Sequence, residues 1–128
     1  MRILLDTHIL IWALIGSRRL PKTAADAVAD GGNEILFSAA SIWEIAIKRQ
    51  TRRIEFSIEA QRIADAAIET GFVELPVTSV AAAAVTELPL HHKDPFDRLL
   101  VCQALRQPAR LFTVDPQLAP YGELVTIL

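Results

Sequence analysis

Cysteine is almost missing from this chain, which has one such residue, Cys102, among its 128. A single cysteine excludes an intrachain disulfide and a zinc site built from several thiolates. Cys102 stands in the apolar stretch "RLLVCQAL", where a small buried side chain is the expected role. The fold must therefore be held together by its hydrophobic core.

Long apolar runs are also missing. The longest, Ile9 to Ile15, is far shorter than the roughly 18 residues that a membrane-spanning helix needs. Asp6 interrupts the apolar N-terminal segment too early for the usual signal peptide. We therefore expect a cytoplasmic protein that does not associate with membranes.

The chain lacks a strong charge of either sign, since 13 Lys and Arg residues stand against 15 Asp and Glu residues. Domains that bind nucleic acid are often strongly basic, so any nucleic-acid contact here must be local. The run "KRQTRR" places Lys48, Arg49, Arg52 and Arg53 close together. It is either a solvated helix end or a surface that contacts an RNA backbone.

Aromatic side chains are scarce, at 6% of the residues. The two tryptophans, Trp12 and Trp43, fall on apolar faces of predicted helices. Core or interface packing is therefore the expected role of both, and stacking on a nucleic-acid base is the alternative.

Apolar residues, in contrast, are abundant and make up 52% of the chain. A chain of 128 residues fits one domain, which we place at residues 1–128, with a large core for its size. Apolar surface left over from that core would suit a protein partner or a second copy of the chain.

Short apolar segments alternate with helical patterns along the whole chain. The predicted strands are "RILLD", "EILFS", "FVELPV", "RLFTVD" and "LVTIL", and Gly16 and Gly71 are expected to end two of the helices between them. Strands separated by helices predict an α/β fold with a parallel central sheet covered on both faces.

Four acids are expected at one edge of that sheet, where the carboxyl ends of strands meet the amino ends of helices. Asp6 ends the first strand, and Asp115 follows the fourth. Glu44 and Asp97 are expected in the first turns of two helices. A capping role explains Asp6 poorly, because Thr7 could cap the following helix without a charge.

The other three acids have plain structural alternatives. Glu44 could complete a capping box with Ser41, Asp97 could favour a helix dipole, and Asp115 could start a turn before a proline. The segment "DPFD" also offers Asp94, which suits the N-cap position better. The convergence of all four acids, rather than any one of them, indicates a site.

Clustered carboxylates need a compensating charge, because two of them about 4 Å apart repel by about 4 kcal/mol at an effective dielectric constant near 20. The set contains only oxygen donors, without the His or Cys spacing of a zinc site. Mg²⁺ or Mn²⁺ fits such donors best, and these ions commonly serve phosphodiester hydrolysis.

Four segments in order, "LLDTHILIWAL", "SAASIWEIAIK", "HHKDPFDRLLVCQAL" and "LFTVDPQLAPYG", resemble PIN-domain ribonucleases, and most closely the VapC toxins of bacterial toxin–antitoxin pairs. The resemblance implies an acidic quartet of Asp6, Glu44, Asp97 and Asp115 around Mg²⁺ or Mn²⁺. Asp6 and Asp97 would be direct ligands, whereas Glu44 and Asp115 would hold or orient water. It also implies RNA hydrolysis, an antitoxin partner and a homodimer.

Several neighbours of the quartet have open roles. Thr7, Ser38 and Thr113 could hydrogen-bond to its members, and capping or strand packing explains them equally well. His91 and His92 precede Asp97 in a loop and could contact phosphate, although loop histidines without such a role are more common.

Three other functions compete with this hypothesis. One is a non-catalytic module of the same fold that binds RNA or protein. Another is a phosphoryl-transfer enzyme with Asp6 as nucleophile, but the second Asp expected two residues later is His8. The third is a nuclease for DNA, because an acidic metal site does not itself sense the 2′-hydroxyl.

Overall fold

The structure is a computed structural model, and it describes residues 1–51 and 57–128. The described ranges contain five strands: β1 (Arg2–Leu5), β2 (Glu34–Ser38), β3 (Val73–Leu75), β4 (Arg110–Thr113) and β5 (Val125–Ile127). They also contain six α-helices: α1 (Thr7–Ile15), α2 (Lys22–Ala29), α3 (Ala39–Gln50), α4 (Ala60–Thr70), α5 (Ser79–Ala84) and α6 (Pro95–Arg106). The predicted alternation of strands and helices is confirmed.

All five strands are parallel, and their order across the sheet is β3-β2-β1-β4-β5. Strand β1 lies at the centre, where Leu4 is opposite Leu36 on one side and Leu111 on the other. Because both neighbours are hydrogen-bonded and both faces are covered, every residue from Ile3 to Leu5 is buried. A purely apolar strand sequence is the expected result.

Successive residues of β1 point to opposite faces of the sheet, as the period of two requires. Ile3 and Leu5 belong to one apolar core, and Leu4 belongs to the other. Side chains of α1, α2, α3 and α4 complete the first core, and those of α6 complete the second: Ile9, Ala24, Ile45 and Ile63 in the first, and Leu100, Val101 and Ala104 in the second. The prediction of helices on both faces is therefore confirmed.

The chain changes direction across the sheet next to β1. From β1 it proceeds to β2 and β3 on one side, and then α5 and α6 carry it back to β4 on the other side. The connections that leave β1 and β4 therefore diverge, which opens a crevice at the carboxyl ends of these two strands. Ligand sites of open α/β sheets are commonly found at such a point.

Glycines end two helices as predicted. Gly16 follows α1 with φ of 68°, and Gly71 follows α4 with φ of 96°. Both conformations are left-handed, which a residue without a Cβ adopts at least cost. Within the described ranges no helix is both long enough and apolar enough to cross a membrane.

A segment of 3₁₀ helix from Pro116 to Tyr121 separates β4 from β5, and the sequence reasoning did not anticipate it. A shorter 3₁₀ turn, Val85–Glu87, follows α5. Both segments belong to the frame of the site described next.

Candidate active site

A cleft of about 280 Å³ lies at the carboxyl ends of the strands, beside the point where the chain changes direction. All four acids predicted from the sequence line it, although they come from four separate segments. Its lining consists of Asp6, Thr7, His8, Glu44, Lys48, His92, Asp94, Asp97, Val114 and Asp115. The structure therefore brings the predicted quartet together.

Asp6 is the acid at the centre of the sheet edge, and it is 4% exposed. Its side chain also caps α1, because Oδ1 accepts a hydrogen bond of 2.9 Å from the Ile9 amide. The structure thus gives the cap to Asp6, and Thr7 lies inside the helix. Burial raises the pKa of Asp6 above its ordinary value, while hydrogen bonds from Thr113 and the Ile9 amide act in the opposite direction.

Glu44 lines the cleft, but it does not lie in the first turn of its helix, where the sequence predicted it. Helix α3 begins at Ala39, so its first turn contains no acid, and Glu44 lies in the second turn. Ser38 caps this helix by accepting a hydrogen bond of 3.0 Å from the Ala40 amide. The capping box of Ser41 and Glu44 is therefore wrong, because the true cap lies three residues earlier.

Both carboxylate oxygens of Glu44 have a partner, although the residue is only 3% exposed. The Thr7 hydroxyl donates to Oε1 at 2.6 Å, and the Lys48 ammonium pairs with Oε2. The Ser41 hydroxyl lies 3.0 Å from that of Thr7 and extends the network. Such partners are what a buried carboxylate requires.

Lys48 is a component of the cleft that the sequence reasoning missed. Its place in the basic run suggested a solvated helix end or an RNA contact. The signal for its true position is the spacing of four residues from Glu44 on one helix, which puts the two side chains on the same face.

Asp94 is the N-cap residue of α6, as predicted. The Asp94 side chain caps α6, because its Oδ1 accepts hydrogen bonds from the amides of Phe96, at 2.8 Å, and Asp97, at 3.1 Å. Asp97 lies in the first turn of α6 and lines the cleft. Asp94 lines it as well, so a fifth acid stands beside the quartet.

The surroundings of Asp97 strongly disfavour its charged form. Burial, followed by the charges of Asp94, Asp6 and Glu44, raises the pKa of Asp97 to about 7. His92 acts in the opposite direction. A carboxylate kept among other carboxylates in this way is typical of a functional site, because the repulsion needs a cation to balance it.

Asp115 both starts a turn and contributes to the cleft. Its Oδ1 accepts a hydrogen bond of 2.9 Å from the Gln117 amide, which caps the following 3₁₀ segment. Its backbone amide donates to the Thr113 hydroxyl at 3.0 Å. Its Oδ2 lies 2.8 Å from His92 Nε2. Asp115 therefore does start a turn before a proline, and its second carboxylate oxygen still faces the cleft.

His92 connects two of the acids. Besides its contact with Asp115, Nε2 lies 3.2 Å from Asp97 Oδ2, and one donor atom from each of these three residues lies within 4.8 Å of the others. The sequence reasoning left His92 without a defined role, since Asp115 is remote along the chain. His91 is exposed, does not line the cleft and rests against the ring of Tyr121, with the ring centres 5.1 Å apart.

The three hydroxyl residues considered beside the quartet differ in their contacts. Thr7 hydrogen-bonds to Glu44, and Thr113 hydrogen-bonds to both Asp6 and Asp115. Ser38 instead caps α3 and donates to the Gln103 side chain. Helix capping and packing therefore account for Ser38.

The remaining candidates from the sequence lie away from the cleft or outside the described residues. Arg49 is exposed and lines a separate groove between α3 and α4, whereas Arg52 and Arg53 lie outside the described residues. Trp12 packs against the core, as expected. The prediction of core packing is wrong for Trp43, which is 61% exposed. Its ring forms a T-shaped pair with that of Phe96, with ring centres 5.4 Å apart.

The chemistry of the cleft fits a divalent cation. Carboxylate oxygens dominate the lining, and burial together with repulsion from the neighbouring acids raises the pKa of Asp97. Hard cations such as Mg²⁺ and Mn²⁺ prefer such donors. One imidazole, that of His92, stands among the oxygens, whereas the sequence reasoning expected a set of oxygens alone.

The chain is similar to known proteins over nearly its whole length. The model of the PIN domain family matches residues 3–124. The ribonuclease VapC22 of Mycobacterium tuberculosis (strain ATCC 25618 / H37Rv) is 31% identical over 120 residues, which cover 91% of this chain and 88% of that protein.

Two solved structures have the same fold at low sequence identity. VapBC2 from Rickettsia felis, bound to a DNA fragment from its promoter, superposes with a TM-score of 0.67 at 14% identity, covering 100% of this chain and 98% of that one. A toxin–antitoxin complex from Klebsiella pneumoniae superposes with a TM-score of 0.67 at 23% identity, covering 97% and 95%.

Proposed function

This chain belongs to the PIN domain family, and we propose that it is a metal-dependent endoribonuclease of the VapC type, the toxin of a toxin–antitoxin pair. One observation carries the proposal: carboxylates from four distant segments line a single cleft at the carboxyl ends of the parallel strands. The ribonuclease activity named for the similar VapC22 supports RNA as the substrate.

We assign Asp6 and Asp97 as the direct ligands of Mg²⁺ or Mn²⁺, with Glu44 and Asp115 holding or orienting water. When bound, such an ion supplies an acidified water and balances charge on the phosphate during phosphodiester hydrolysis. The raised pKa of Asp97 couples metal binding to release of a proton near neutral pH.

The chain's own residues keep the carboxylates in place. The Ile9 amide fixes Asp6, the Thr7 hydroxyl and Lys48 ammonium fix Glu44, and the Gln117 amide fixes Asp115. Because these partners are donors from ordered elements, the carboxylates keep their orientation without a substrate. Such preorganisation is what an in-line attack on a phosphodiester requires.

RNA cleavage by the purified protein tests the proposal. We expect single-stranded RNA to be cut with Mg²⁺ or Mn²⁺, and cleavage to stop in EDTA and in the Asp6→Asn variant. Asp65→Asn is the matched control, since Asp65 is an exposed acid on α4, and it should cut like the wild type.

Three results would contradict parts of the proposal. RNA that is bound but left intact would favour the non-catalytic module, and equal cutting of single-stranded DNA of the same sequence would favour a nuclease without RNA specificity. Full activity of Asp6→Asn in EDTA would contradict the proposed metal site, because cleavage would then need neither the metal ion nor Asp6.

We also propose an antitoxin partner and a homodimer. Both solved neighbours come from toxin–antitoxin complexes, which supports the first, and exposed apolar side chains support both. The exposed large apolar residues include Ile15, Trp43, Ile68, Val80, Leu90 and Leu105. Light scattering should give the mass of at least a dimer at micromolar concentration, and a monomer would contradict the second proposal.

We also propose that the chain is a single domain and that it is cytoplasmic. Residues 1–128 should behave as one cooperative unit, which a single unfolding transition monitored by two probes would test. A cytoplasmic location is likewise a proposal, and cell fractionation tests it.

A further inference from the structure

His92 occupies a position between two acids that come from different parts of the chain. Asp97 belongs to the first turn of α6, and Asp115 follows β4. The imidazole Nε2 is within hydrogen-bond distance of one oxygen of each. We propose that His92 is a positioning residue that holds the carboxylates of Asp97 and Asp115 together through its Nε2–H. The inference rests on the proposed metal-dependent function.

The other ring nitrogen decides which role the imidazole has. The Asp94 amide donates to His92 Nδ1 at 3.2 Å, so Nδ1 acts as an acceptor and carries no proton. In the neutral ring the proton is then on Nε2, which donates to Asp115 Oδ2 at 2.8 Å, with Asp97 Oδ2 at 3.2 Å.

A nitrogen that carries a proton has no lone pair for a metal ion. To act as a ligand, Nε2 would have to lose its proton, and a proton on Nδ1 would then break the hydrogen bond from the Asp94 amide. The geometry therefore favours His92 as a hydrogen-bond donor to the two acids over His92 as a third metal ligand. Histidine and carboxylate partners of this kind commonly fix the orientation of metal ligands.

The backbone of His92 is fixed by a clamp formed by the buried Arg98 and the half-buried Tyr121. The His92 amide donates to the Tyr121 hydroxyl at 3.1 Å, and Arg98, at 8% exposure, donates to the same hydroxyl at 3.1 Å. The guanidinium also donates to the carbonyls of Val85, at 2.9 Å, and Pro89, at 3.1 Å.

This clamp places the loop relative to both acids. Arg98 lies one residue after Asp97 on α6, and Tyr121 ends the 3₁₀ segment that Asp115 begins. The Tyr121 hydroxyl completes the ring of contacts by donating to the Pro89 carbonyl at 2.9 Å. The loop that carries the imidazole is therefore attached to the two elements whose carboxylates it joins.

The experiment compares Mn²⁺ affinity, measured by calorimetry, in His92→Ala and His92→Gln. We expect His92→Ala to bind Mn²⁺ about 10-fold more weakly or worse, as loss of an outer hydrogen-bond partner of a metal ligand does. The Gln amide can donate from nearly the position of Nε2–H, so His92→Gln should recover most of the affinity. His91→Ala, the adjacent exposed histidine, is the control and should bind like the wild type.

Nitrogen NMR of the imidazole at pH 8 supplies a readout that does not depend on activity. We expect an unprotonated Nδ1 and a protonated Nε2 in the metal-free protein, and the Nε2 proton should remain when Mg²⁺ is added. Should His92→Ala fail to fold, the wild-type spectra and His92→Gln still decide the question.

The results separate this inference from the proposed function. Wild-type protein that binds no Mn²⁺ would contradict the proposed function, whereas the tautomer of the metal-free ring would still report on His92. A protonated Nδ1, a loss of the Nε2 proton on adding Mg²⁺, or unchanged Mn²⁺ affinity in His92→Ala would overturn the positioning role.

Discussion

Each of three aspartates around the cleft uses one of its two carboxylate oxygens to accept hydrogen bonds from backbone amides. Oδ1 of Asp6 accepts from the Ile9 amide, Oδ1 of Asp94 from the amides at the start of α6, and Oδ1 of Asp115 from the Gln117 amide. At each position, capping a helix and lining the site are two functions of one side chain. Capping orients the carboxyl group, because the backbone amides fix one of its two oxygens.

Asp97 differs from these three residues, since its charge is a cost to the metal-free fold. We predict that Asp97→Asn raises the free energy of unfolding in EDTA by at least about 1 kcal/mol, because a pKa raised by one unit already corresponds to about 1.4 kcal/mol. Loss of the favourable helix dipole offsets about 0.3 to 1 kcal/mol. Denaturant unfolding in EDTA measures the difference.

Asp94→Asn is the matched comparison for this prediction. It keeps a capping side chain at the same helix end, so it should change stability less than Asp97→Asn does. An Asp97→Asn protein that unfolds more easily than the wild type in EDTA would make Asp97 a helix-end residue and remove it from the proposed quartet.

The same residue predicts how stability depends on pH. The pKa of Asp97 is about 7 in the folded protein against an ordinary value of 3.8, so the folded state binds more protons than the unfolded state between these values. The stabilisation from the protonated form is complete below about pH 4 and is lost as the pH rises through 7. The advantage of Asp97→Asn over wild type in EDTA should therefore grow from pH 4 to pH 8.

Urea unfolding of both proteins at intervals across this range checks the prediction. Asp6 also has a raised pKa and contributes a slope of the same sign, so the difference between the two proteins reports on Asp97 together with its interaction with Asp6. A difference that stays constant across this range would show that burial and the neighbouring acids do not raise the pKa of Asp97.

At the scale of elements, helix α6 supports the site from its N-cap and first turn. Asp94 caps it, Asp97 faces the cleft, and Arg98 turns the other way to bind the loop of His92. Arg98 is a buried cation whose hydrogen-bond acceptors are three backbone carbonyls, those of Val85, Pro89 and His92, and a tyrosine hydroxyl. The loop therefore depends on one side chain for much of its order.

We predict that Arg98→Met lowers the free energy of unfolding by about 1 to 3 kcal/mol, because the Val85 and Pro89 carbonyls lose a donor. Met keeps much of the apolar length of the side chain, so the loss reports mainly on the hydrogen bonds. Hydrogen exchange at the His92 and Asp94 amides should accelerate more than exchange in β1. Arg106→Met, an exposed arginine at the other end of α6, is the control.

At the scale of the whole molecule, the strand order decides where the charge accumulates. Strands β1 and β4 are neighbours, although more than a hundred residues separate their starts, and so Asp6 and Asp115 lie at one sheet edge. The carboxylates that repel each other at this edge come from distant segments of the chain. A bound cation would relieve their repulsion.

We predict that Mg²⁺ stabilises the wild type, by about 2.7 kcal/mol at a concentration 100 times the dissociation constant, and stabilises Asp97→Asn much less. Thermal unfolding across a series of Mg²⁺ concentrations measures both responses, with Asp65→Asn as the control that should follow the wild type. Equal responses of wild type and Asp97→Asn would contradict a metal site that includes Asp97.

The sequence by itself determined the α/β class and the candidate quartet. Apolar runs too short for a helix, helical stretches between them and capping residues are local signals, because backbone preference acts over a few residues. The rule that strand ends and helix starts share one edge then collected Asp6, Glu44, Asp97 and Asp115 without knowledge of the strand order.

Only the tertiary structure decided the partners of those acids. Glu44 remains in the cleft although α3 starts earlier than predicted, and Lys48 pairs with it there. His92 and Asp115 are 23 residues apart, and the Arg98–Tyr121 clamp that brings them together is made of contacts across the chain. No local pattern encodes the contacts between separate elements, because they form only when those elements pack against each other. The pair of Glu44 and Lys48 is the exception, since their spacing of four residues on one helix is a local signal.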